Sequence, residues 1–342
     1  MHNKQNNIEY SILLKEIENT TSLINPFLIK LIPEHLDDYK DLKKKIDYGL
    51  KDIGLRLRPF LLRMGYEAGG GNFKDISSIA TAIELMQIST LIIDDILDES
   101  TKRNGRDSIY KKWGTKNAIL IGEILKSLSS KIFIQSIQES KKLKNTLKAL
   151  ELFENTYKSI CVGQYLDLNY EQKNIIKESE YLDTIKNTTA LFIQAPITIG
   201  ALLSGASEKT IDSLSSYGLS LGYAYQIRDD VIDLLGEEKY TGKPFAGDIK
   251  RKKKRLPVVH AFSRAPQSIK ERLHAIYRKN KISDSDAREV VKLLYETGSI
   301  EYSKRKTRQF CEEAKKSLKG VKNTRIRNLL FDLADLVSSF QD

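Results

Sequence analysis

Apolar residues recur at spacings of three and four positions along nearly the whole chain, from about Ile12 to Phe340. This is the period of an α-helix with one buried face, and no convincing series of alternating segments joined by hairpin turns interrupts it. The pattern therefore predicts an all-α protein, a bundle of about ten or more helices. Proline, glycine and polar clusters mark the expected breaks: Asn25-Pro26, Ile32-Pro33, Gly69 to Gly71, Asn104-Gly105, residues 170–180, residues 236–247 and Pro257.

The length of 342 residues would suit two average domains or one large fold with an ample core. No low-complexity linker, fixed-period repeat or clear shift in composition divides the chain. We therefore predict a single domain over residues 1–342. The asparagines and prolines of residues 1–40 are compatible with a separate N-terminal arm or helical pair.

The composition, with 40% hydrophobic and 30% charged residues and only 7 prolines, is typical of a folded, helix-rich chain. Two cysteines cannot form a disulfide framework, and they show no metal-ligand spacing, so a reducing, cytoplasmic setting is expected. No stretch reaches the roughly 18 uninterrupted apolar residues of a membrane span. A transient contact with a membrane surface is the most that this pattern suggests.

The net charge of +11 is largely local, because residues 250–255 form an uninterrupted run of six lysines and arginines. A basic run can indicate nucleic-acid binding. However, aromatic residues do not interleave with this run, and no nucleic-acid-binding module is recognisable around it. We therefore expect no nucleic-acid partner.

The most informative acidic residues form two D-D-x-x-D motifs within strongly apolar stretches. On a helix, the first and last positions of this motif lie about one turn apart on the same face, and the second position is offset. Such clustered charges are costly unless a cation offsets their repulsion. Carboxylate oxygens suit Mg²⁺, which fills its other positions with water and substrate phosphate oxygens. The motifs are Asp94, Asp95 and Asp98, and Asp229, Asp230 and Asp233.

Basic residues follow each acidic motif, as a diphosphate site requires. They are Lys102, Arg103 and Arg106 after the first motif, and Lys243 and Lys253 after the second. Metal ions that bridge carboxylates to a diphosphate, with lysine and arginine on the remaining oxygens, would neutralise a leaving group as its C–O bond breaks. The residues therefore predict ionisation of an organic diphosphate.

Further short segments accompany these motifs in a fixed order. They are G-L-R-L-R-P at 54–59, Gln87, the first acidic motif with Arg103, Gly163-Gln164, Thr188-Thr189-Ala190, Y-Q-I-R-D-D-V-I-D at 225–233, T-G-K-P at 241–244, and Asp248-Ile249 with Lys253 and Leu256-Pro257. In this order the chain resembles the trans-prenyl diphosphate synthases, the polyprenyl synthetase family, over roughly residues 54–336. So many matches in register are highly specific.

The resemblance implies one all-α bundle of the isoprenoid synthase type around a deep central cavity, commonly in a homodimer. It implies three Mg²⁺ ions, bound by Asp94, Asp98 and Asp229, that grip an allylic prenyl diphosphate. Supporting roles fall to Asp95, Asp230 and Asp233. The diphosphate oxygens would be held by Arg103, Lys243 and Lys253, and the site would be lined by Thr189, Tyr225 and Gln226. In the family, the allylic cation is then attacked by isopentenyl diphosphate.

The positions that bind isopentenyl diphosphate depart from the family pattern. The family uses the lysine of G-K-R, the arginine that ends that motif, a histidine or glutamine, and the second arginine of an R-R pair. Here these positions are Leu55, Arg58, Gln87 and Asn104, and Thr188 replaces a lysine on the allylic side. Each lost cation removes a charge-assisted hydrogen bond of about 1.5–3 kcal/mol. Acceptor binding is expected to weaken severely unless Arg56, Lys102 or Arg106 substitutes.

Three functions remain open on the sequence alone. The favoured one is elongation of an allylic diphosphate with isopentenyl diphosphate to a linear trans-polyprenyl diphosphate. The alternative is a terpene synthase on the same scaffold, which ionises a prenyl diphosphate without that acceptor. The third is a non-catalytic or regulatory subunit of a heteromeric synthase, against which the two intact acidic motifs argue.

The residues just before Asp94 bear on product length. Ser89 and Thr90 are small, whereas relatives that make farnesyl diphosphate usually carry a bulky aromatic residue there. Helical spacing places Met86 deeper along the same helix, where it could form the floor of a tunnel. The pattern predicts a product of about C20 or longer.

Overall fold

The structure, a computed structural model, describes residues 10–31, 38–51, 54–138, 143–235 and 245–340. The helices, numbered in chain order, are α1 Ser11–Leu31, α2 Lys40–Leu50, α3 Leu57–Ala68, α4 Ser77–Leu97, α5 Ile109–Gln138, α6 Leu143–Glu171, α7 Glu178–Ile185, α8 Leu191–Ser204, α9 Glu208–Leu235, α10 Gly247–Lys250, α11 Leu256–Arg264, α12 Gln267–Tyr277, α13 Asp284–Glu296, α14 Ser299–Ser317 and α15 Thr324–Ser338. A two-stranded antiparallel hairpin pairs β1 Lys102–Arg103 with β2 Arg106–Asp107. The prediction of an all-α fold is confirmed.

One of the expected helix breaks is wrong. Helix α1 continues through Pro26, because the buried side chains of Ile24 and Leu28 hold both sides of the proline against the core. The break at Pro257 is confirmed, since α11 begins at Leu256 and Pro257 lies in its first turn, where its missing N–H is not needed. The breaks at residues 69–71 and 104–105 are confirmed, whereas Ile32-Pro33 lies outside the described residues.

The N-terminal segment is not a separate arm over its described part. Helix α1 packs against α3, α4 and α15. Its side chains Leu13 and Ile17 enter the apolar cluster that also holds α8 and α9, and Ile24 enters the cluster around α4 and α5. Residues 10–31 therefore belong to the same bundle as the predicted site residues.

Helices α3 and α8 pack closely because glycines face each other across their contact. A Cβ at Gly200 would lie 2.1 Å from the Leu62 carbonyl oxygen, and one at Gly65 would lie 2.0 Å from the Ile197 carbonyl oxygen. Only glycine permits such an approach of two backbones. The contact fixes α3, and with it Arg58 in the first turn of that helix, against the helix that carries Phe192.

The segment Phe73–Leu97, which contains α4, is long and apolar enough to cross a membrane. However, 72% of its apolar window is buried inside the bundle. The apolar residues face α5 and neighbouring helices, and the segment ends at the first acidic motif. The segment is therefore a core helix that carries carboxylates at its C-terminal end.

A buried ion pair connects the G-L-R-L-R-P segment to α4. Arg56 Nη1 donates to Glu84 Oε1 at 2.6 Å, and both side chains are buried. Arg56 adopts a left-handed backbone conformation, with φ of 47°, directly before α3. The pair therefore holds the entrance of α3, two residues before Arg58, against the helix of the first acidic motif.

We expect Arg56→Met to lower the free energy of unfolding by about 3–5 kcal/mol, because it leaves the Glu84 carboxylate buried without its ion-pair partner. Urea denaturation followed by circular dichroism measures this change. The double variant Arg56→Met/Glu84→Met should recover most of the loss, since no buried charge remains. A single variant as stable as the wild type would contradict this role of the pair.

Candidate active site

The two acidic motifs line one cavity of about 490 Å³. The ends of α4 and α9 supply the motifs, and α3, α6 and α8 contribute to the walls. Most of the predicted site residues meet here: Arg58, Gln87, Thr90, Asp94, Asp98, Arg103, Thr189, Tyr225, Gln226, Asp229, Asp230 and Asp233, together with Asn104 and Thr188. The structure thus brings residues separated by up to 175 positions to the surface of a single cavity.

The first acidic motif is held by an arginine from the hairpin that follows it. Arg103 donates to Asp95 Oδ1 at 2.6 Å and 3.0 Å and to Asp94 Oδ2 at 3.2 Å. The turn at Asn104 and Gly105, both with positive φ, lets the chain fold back so that Arg103 reaches α4. Asp95 points away from the cavity lining, whereas Asp94 and Asp98 face the cavity, as the helical offset predicts.

The second acidic motif is anchored by hydrogen bonds to its middle residue. Asp230 accepts from Tyr181 Oη at 2.6 Å and from Gln226 Nε2 at 2.8 Å, and Thr189 Oγ1 donates to Gln226 Oε1 at 2.6 Å. Burial raises the pKa of Asp230 to about 7, although the nearby Arg255 opposes this shift. Asp233 accepts from the Asp248 backbone N–H at 3.1 Å.

A π-helical turn at Lys186–Ala190 presents the two threonines to the cavity. Single π turns within helices are common at functional sites because they aim side chains that a regular helix would turn away. Gly222 on α9 makes room for this turn, since a Cβ there would lie 2.5 Å from Ala190 Cα. The turn brings Thr189 within hydrogen-bonding distance of Gln226.

The largely buried side chain of Arg255 places positive charge beneath the second acidic motif. Arg255 donates to Asp248 Oδ2 at 2.8 Å and to Asp167 Oδ1 at 3.1 Å, and its Nε lies 3.7 Å from Asp230 Oδ1. The sequence motifs do not indicate Arg255, Asp167 or Tyr181 as site residues. Asp167 lies one helical turn after Gln164, which donates to Asp94 Oδ1 at 2.7 Å, so the helical spacing of α6 could have indicated it.

Lys253 is engaged by carboxylates below the cavity surface. Its side chain is 1% exposed, and Nζ lies 2.8 Å from Asp98 Oδ1, 2.7 Å from Asp167 Oδ2 and 2.6 Å from Glu171 Oε1. An ammonium has three N–H donors, so these carboxylates occupy all of them. Burial acts to lower the pKa of Lys253, but the charges of Asp167 and Asp98 raise it overall. The other predicted lysine, Lys243, lies outside the described residues.

The basic run does not form an exposed patch. Lys253 and Lys254 are buried, Arg255 is enclosed by carboxylates, and Lys250 pairs with Asp284 at 2.9 Å. Lys253 and Arg255 thus take part in internal ion pairs, whereas Lys254 donates to the backbone carbonyl oxygens of Glu171 and Lys252.

Three of the four acceptor positions, Arg58, Gln87 and Asn104, line the same cavity, whereas Leu55 does not. Leu55 is 65% exposed, whereas the Arg58 guanidinium lies 4.3 Å from the Phe192 ring centroid. Burial lowers the pKa of Arg58, and its Nε has no hydrogen-bond partner among the described residues. Arg58 therefore presents an unused donor beside Gln87 in the cavity wall.

The three cations that could substitute at the acceptor positions differ in their contacts. Arg56 is committed to Glu84, and Arg106 stacks at 4.1 Å over the Tyr48 ring. Lys102 lines the cavity, although it also pairs with Asp107 at 2.8 Å. Of these three, only Lys102 can reach a ligand in the cavity.

The structure separates the residues predicted to set product length. Thr90 lines the cavity and donates to the Gln87 carbonyl oxygen at 2.8 Å. Ser89 and Met86 are fully buried in the core around α4 and α5, and neither lines the cavity. Their role in product length stays a prediction.

The donor set fits a hard divalent cation shared with a ligand. Within the described ranges, no three His, Cys, Asp or Glu side chains converge as a closed metal cage. Mg²⁺ does not need one, because one or two carboxylates suffice when water and phosphate oxygens complete its coordination. Burial and the charge of Asp94 raise the pKa of Asp98, a cost that a bound cation would offset.

Comparisons with known proteins agree with this geometry. The Polyprenyl synthetase family model matches residues 39–294. The geranylgeranyl diphosphate synthase of Methanosarcina mazei is 32% identical over 96% of this chain and 98% of its own length. The short chain isoprenyl diphosphate synthase of Methanocaldococcus jannaschii is 33% identical over 82% of this chain and 85% of its own length.

Solved structures share the fold. The crystal structure of geranylgeranyl pyrophosphate synthetase from Pyrococcus horikoshii is similar with a TM-score of 0.88 at 31% identity, and the match covers 97% of this chain and 99% of that one. The family match, the near-complete coverage of the relatives and the shared fold therefore agree with the acidic motifs of the cavity. The chain belongs to the polyprenyl synthetase family.

Proposed function

We propose that this protein is a prenyltransferase that condenses an allylic prenyl diphosphate with isopentenyl diphosphate to give a linear trans-polyprenyl diphosphate of C20 or longer. The observation that carries this proposal is the meeting of both intact acidic motifs at one cavity, with Arg103 beside the first of them. Full-length similarity to geranylgeranyl diphosphate synthases supports it.

The allylic diphosphate would bind between the ends of α4 and α9. Asp94 and Asp98 on one side and Asp229 on the other would hold Mg²⁺, with three ions as the proposed number. Bound there, the ions would neutralise the charge that develops on the departing diphosphate. Arg103 would donate to the diphosphate oxygens, and Asp95 keeps that guanidinium in place.

The reaction forms an allylic carbocation, which must be shielded from water because water would quench it. The allylic C–O bond breaks and releases diphosphate, and the double bond of isopentenyl diphosphate attacks the allylic carbon. The released diphosphate then takes the proton whose loss restores a double bond. The aromatic residues Tyr225 and Phe192 line the cavity, and an aromatic ring attracts positive charge to its face. Thr189, held by Gln226, contributes a neutral polar wall that does not compete with the diphosphate for cations.

The acceptor diphosphate would bind at the α3 side of the cavity. Arg58 supplies an unused guanidinium donor there, Gln87 supplies an amide, and Lys102 supplies a second cation at the hairpin. With Leu55 and Asn104 in place of cations, this set is weaker than the family's, so we expect a high KM for isopentenyl diphosphate.

The decisive experiment incubates the protein and Mg²⁺ with geranyl, farnesyl or geranylgeranyl diphosphate, with and without radiolabelled isopentenyl diphosphate. We expect the label to enter a longer diphosphate, with product length read by chromatography after dephosphorylation. Release of hydrocarbon or alcohol without uptake of the label would overturn elongation and favour the terpene synthase alternative. The synthases among the relatives described above favour elongation.

We expect Asp94→Asn or Asp229→Asn to lower turnover by about a thousand-fold or more, because each change removes a proposed metal ligand worth several kcal/mol in the transition state. Turnover is measured across a Mg²⁺ titration. Asp212→Asn is the matched control, since Asp212 is exposed on the same helix as Asp229, far from the cavity. Unchanged turnover in both acidic-motif variants would contradict their role as metal ligands, whereas absence of turnover in the wild type itself would favour the non-catalytic subunit.

We also propose that two copies of the chain associate through α5 and α6. Of the fourteen large apolar side chains that are exposed among the described residues, seven lie on these two adjacent helices. They are Ile119, Leu120, Ile134, Leu143, Leu147, Val162 and Tyr165. Such a concentration of exposed apolar surface is typical of an interaction face, and a second copy presents the same face. The two free cysteines support a cytoplasmic setting for the assembly.

Leu120→Glu is expected to shift the protein from dimer to monomer, because each copy would place a carboxylate in an apolar interface. Light scattering after size exclusion measures the mass against the 39.0 kDa of one chain. Tyr295→Glu, at an exposed apolar position on α13, is the control and should leave the mass unchanged. A wild-type protein that is monomeric at all concentrations would contradict the proposal.

A further inference from the structure

Arg251 is a cation of the cavity to which neither the acidic motifs nor the matching segments assign a role. It directly follows α10, and its side chain is 32% exposed. It lines the cavity together with Asp98 and Asp233, one residue from each acidic motif. Arg251 is therefore placed where the two motifs face each other.

Most of the hydrogen-bonding capacity of Arg251 is unused. A guanidinium has five N–H donors in a planar fork. Among the described residues, Arg251 makes one hydrogen bond, from Nη2 to Asp248 Oδ1 at 2.7 Å. Its Nε is buried and has no acceptor. A buried donor without a partner is costly, so this geometry suits a ligand that brings acceptor oxygens.

Asp248 does not need Arg251 for its own neutralisation. The other carboxylate oxygen of Asp248 accepts from Arg255 at 2.8 Å, and Arg255 is the more deeply buried of the two arginines. The contact with Asp248 therefore orients Arg251, whereas the internal ion pairs persist through Arg255. This arrangement distinguishes a cation aimed at a ligand from one that holds the fold together.

Three other cations near the acidic motifs are engaged by carboxylates. Arg103 donates to Asp94 and Asp95, Arg255 donates to Asp167 and Asp248, and Lys253 is surrounded by three carboxylates. Compared with these three described residues, Arg251 has more unused donors. An incoming diphosphate, with its charged oxygens, is the chemistry that such a fork binds best.

The geometry points to Arg251 as a further diphosphate-binding residue, which donates to the diphosphate of the allylic substrate from the α10 side of the cavity, with Asp248 as its positioning residue. The inference rests on the proposed function, because that function places the diphosphate between the acidic motifs. It extends the proposed binding set with a cation that the sequence motifs did not identify.

Inorganic pyrophosphate with Mg²⁺ is the probe, because its binding can be measured without turnover. Isothermal titration of the full chain should show Arg251→Gln weakening the affinity by about ten- to a hundred-fold, the effect of losing one charge-assisted hydrogen bond. Arg251→Lys should recover part of the affinity, since it keeps the charge but not the fork. Thermal unfolding of both variants should stay close to that of the wild type.

Lys250→Gln is the matched control. It removes one positive charge from the adjacent residue, whose partner Asp284 is 78% exposed and does not line the cavity. We expect wild-type affinity for pyrophosphate in this variant. Equal affinity of Arg251→Gln and the wild type would overturn the inference. Failure of the wild type itself to bind pyrophosphate with Mg²⁺ would instead count against the proposed function.

If Arg251→Gln does not fold, the same inference is tested on the wild-type chain. Phenylglyoxal modifies accessible arginines, and peptide mass spectrometry reports the rate at each one. Pyrophosphate with Mg²⁺ should slow modification of Arg251 several-fold while leaving the exposed Arg264 unaffected. The same rate at Arg251 with and without pyrophosphate would overturn the inference.

Discussion

Repulsion between the carboxylates around one cavity must be offset for this structure to be stable. Among the described residues, eight carboxylates and five cations line the cavity. The two acidic motifs also lie near the C-terminal ends of α4 and α9, where the helix dipole disfavours further negative charge. Such a site is stable only if cations are brought to it, either from the chain or with the substrate.

The chain supplies part of that positive charge from two different directions. The hairpin after α4 returns Arg103 to the first motif. The segment after α10 places Lys253 against Asp98 of the first motif and Arg255 beneath the second. These two supports leave Asp229 and Asp98 at the cavity surface. The remaining excess of carboxylates is what a divalent cation and a diphosphate would complete together.

The two sides of the cavity differ in the way they can bind a diphosphate. The acidic side is dense in charge and held by short hydrogen bonds, such as the one from Tyr181 to Asp230. The α3 side has one buried guanidinium, that of Arg58, beside an aromatic ring, and the exposed Leu55 contributes no charge to it. This asymmetry supports the proposal that the allylic diphosphate binds more tightly than the acceptor.

Some features of this protein are determined by local sequence. The helical period predicts the all-α fold, because each helix buries one face and the apolar residues of that face recur along the chain every three or four positions. The spacing of Asp94 and Asp98 places both carboxylates on one helix face, and the offset of Asp95 follows from the same geometry. These relations join residues less than two helical turns apart, so local sequence is enough to predict them.

Other features depend on contacts between residues that are distant in the sequence, and local patterns do not predict them. Lys253 meets Asp167 across 86 positions, and this contact places one lysine of the basic run in an internal ion pair. Pro26 remains inside a helix because packing of its neighbours outweighs the lost hydrogen bond. The unused donors of Arg251 likewise depend on the folded chain, because there Arg255 neutralises Asp248. In each case the deciding free energy is that of burial and charge pairing between segments that the folded chain brings together.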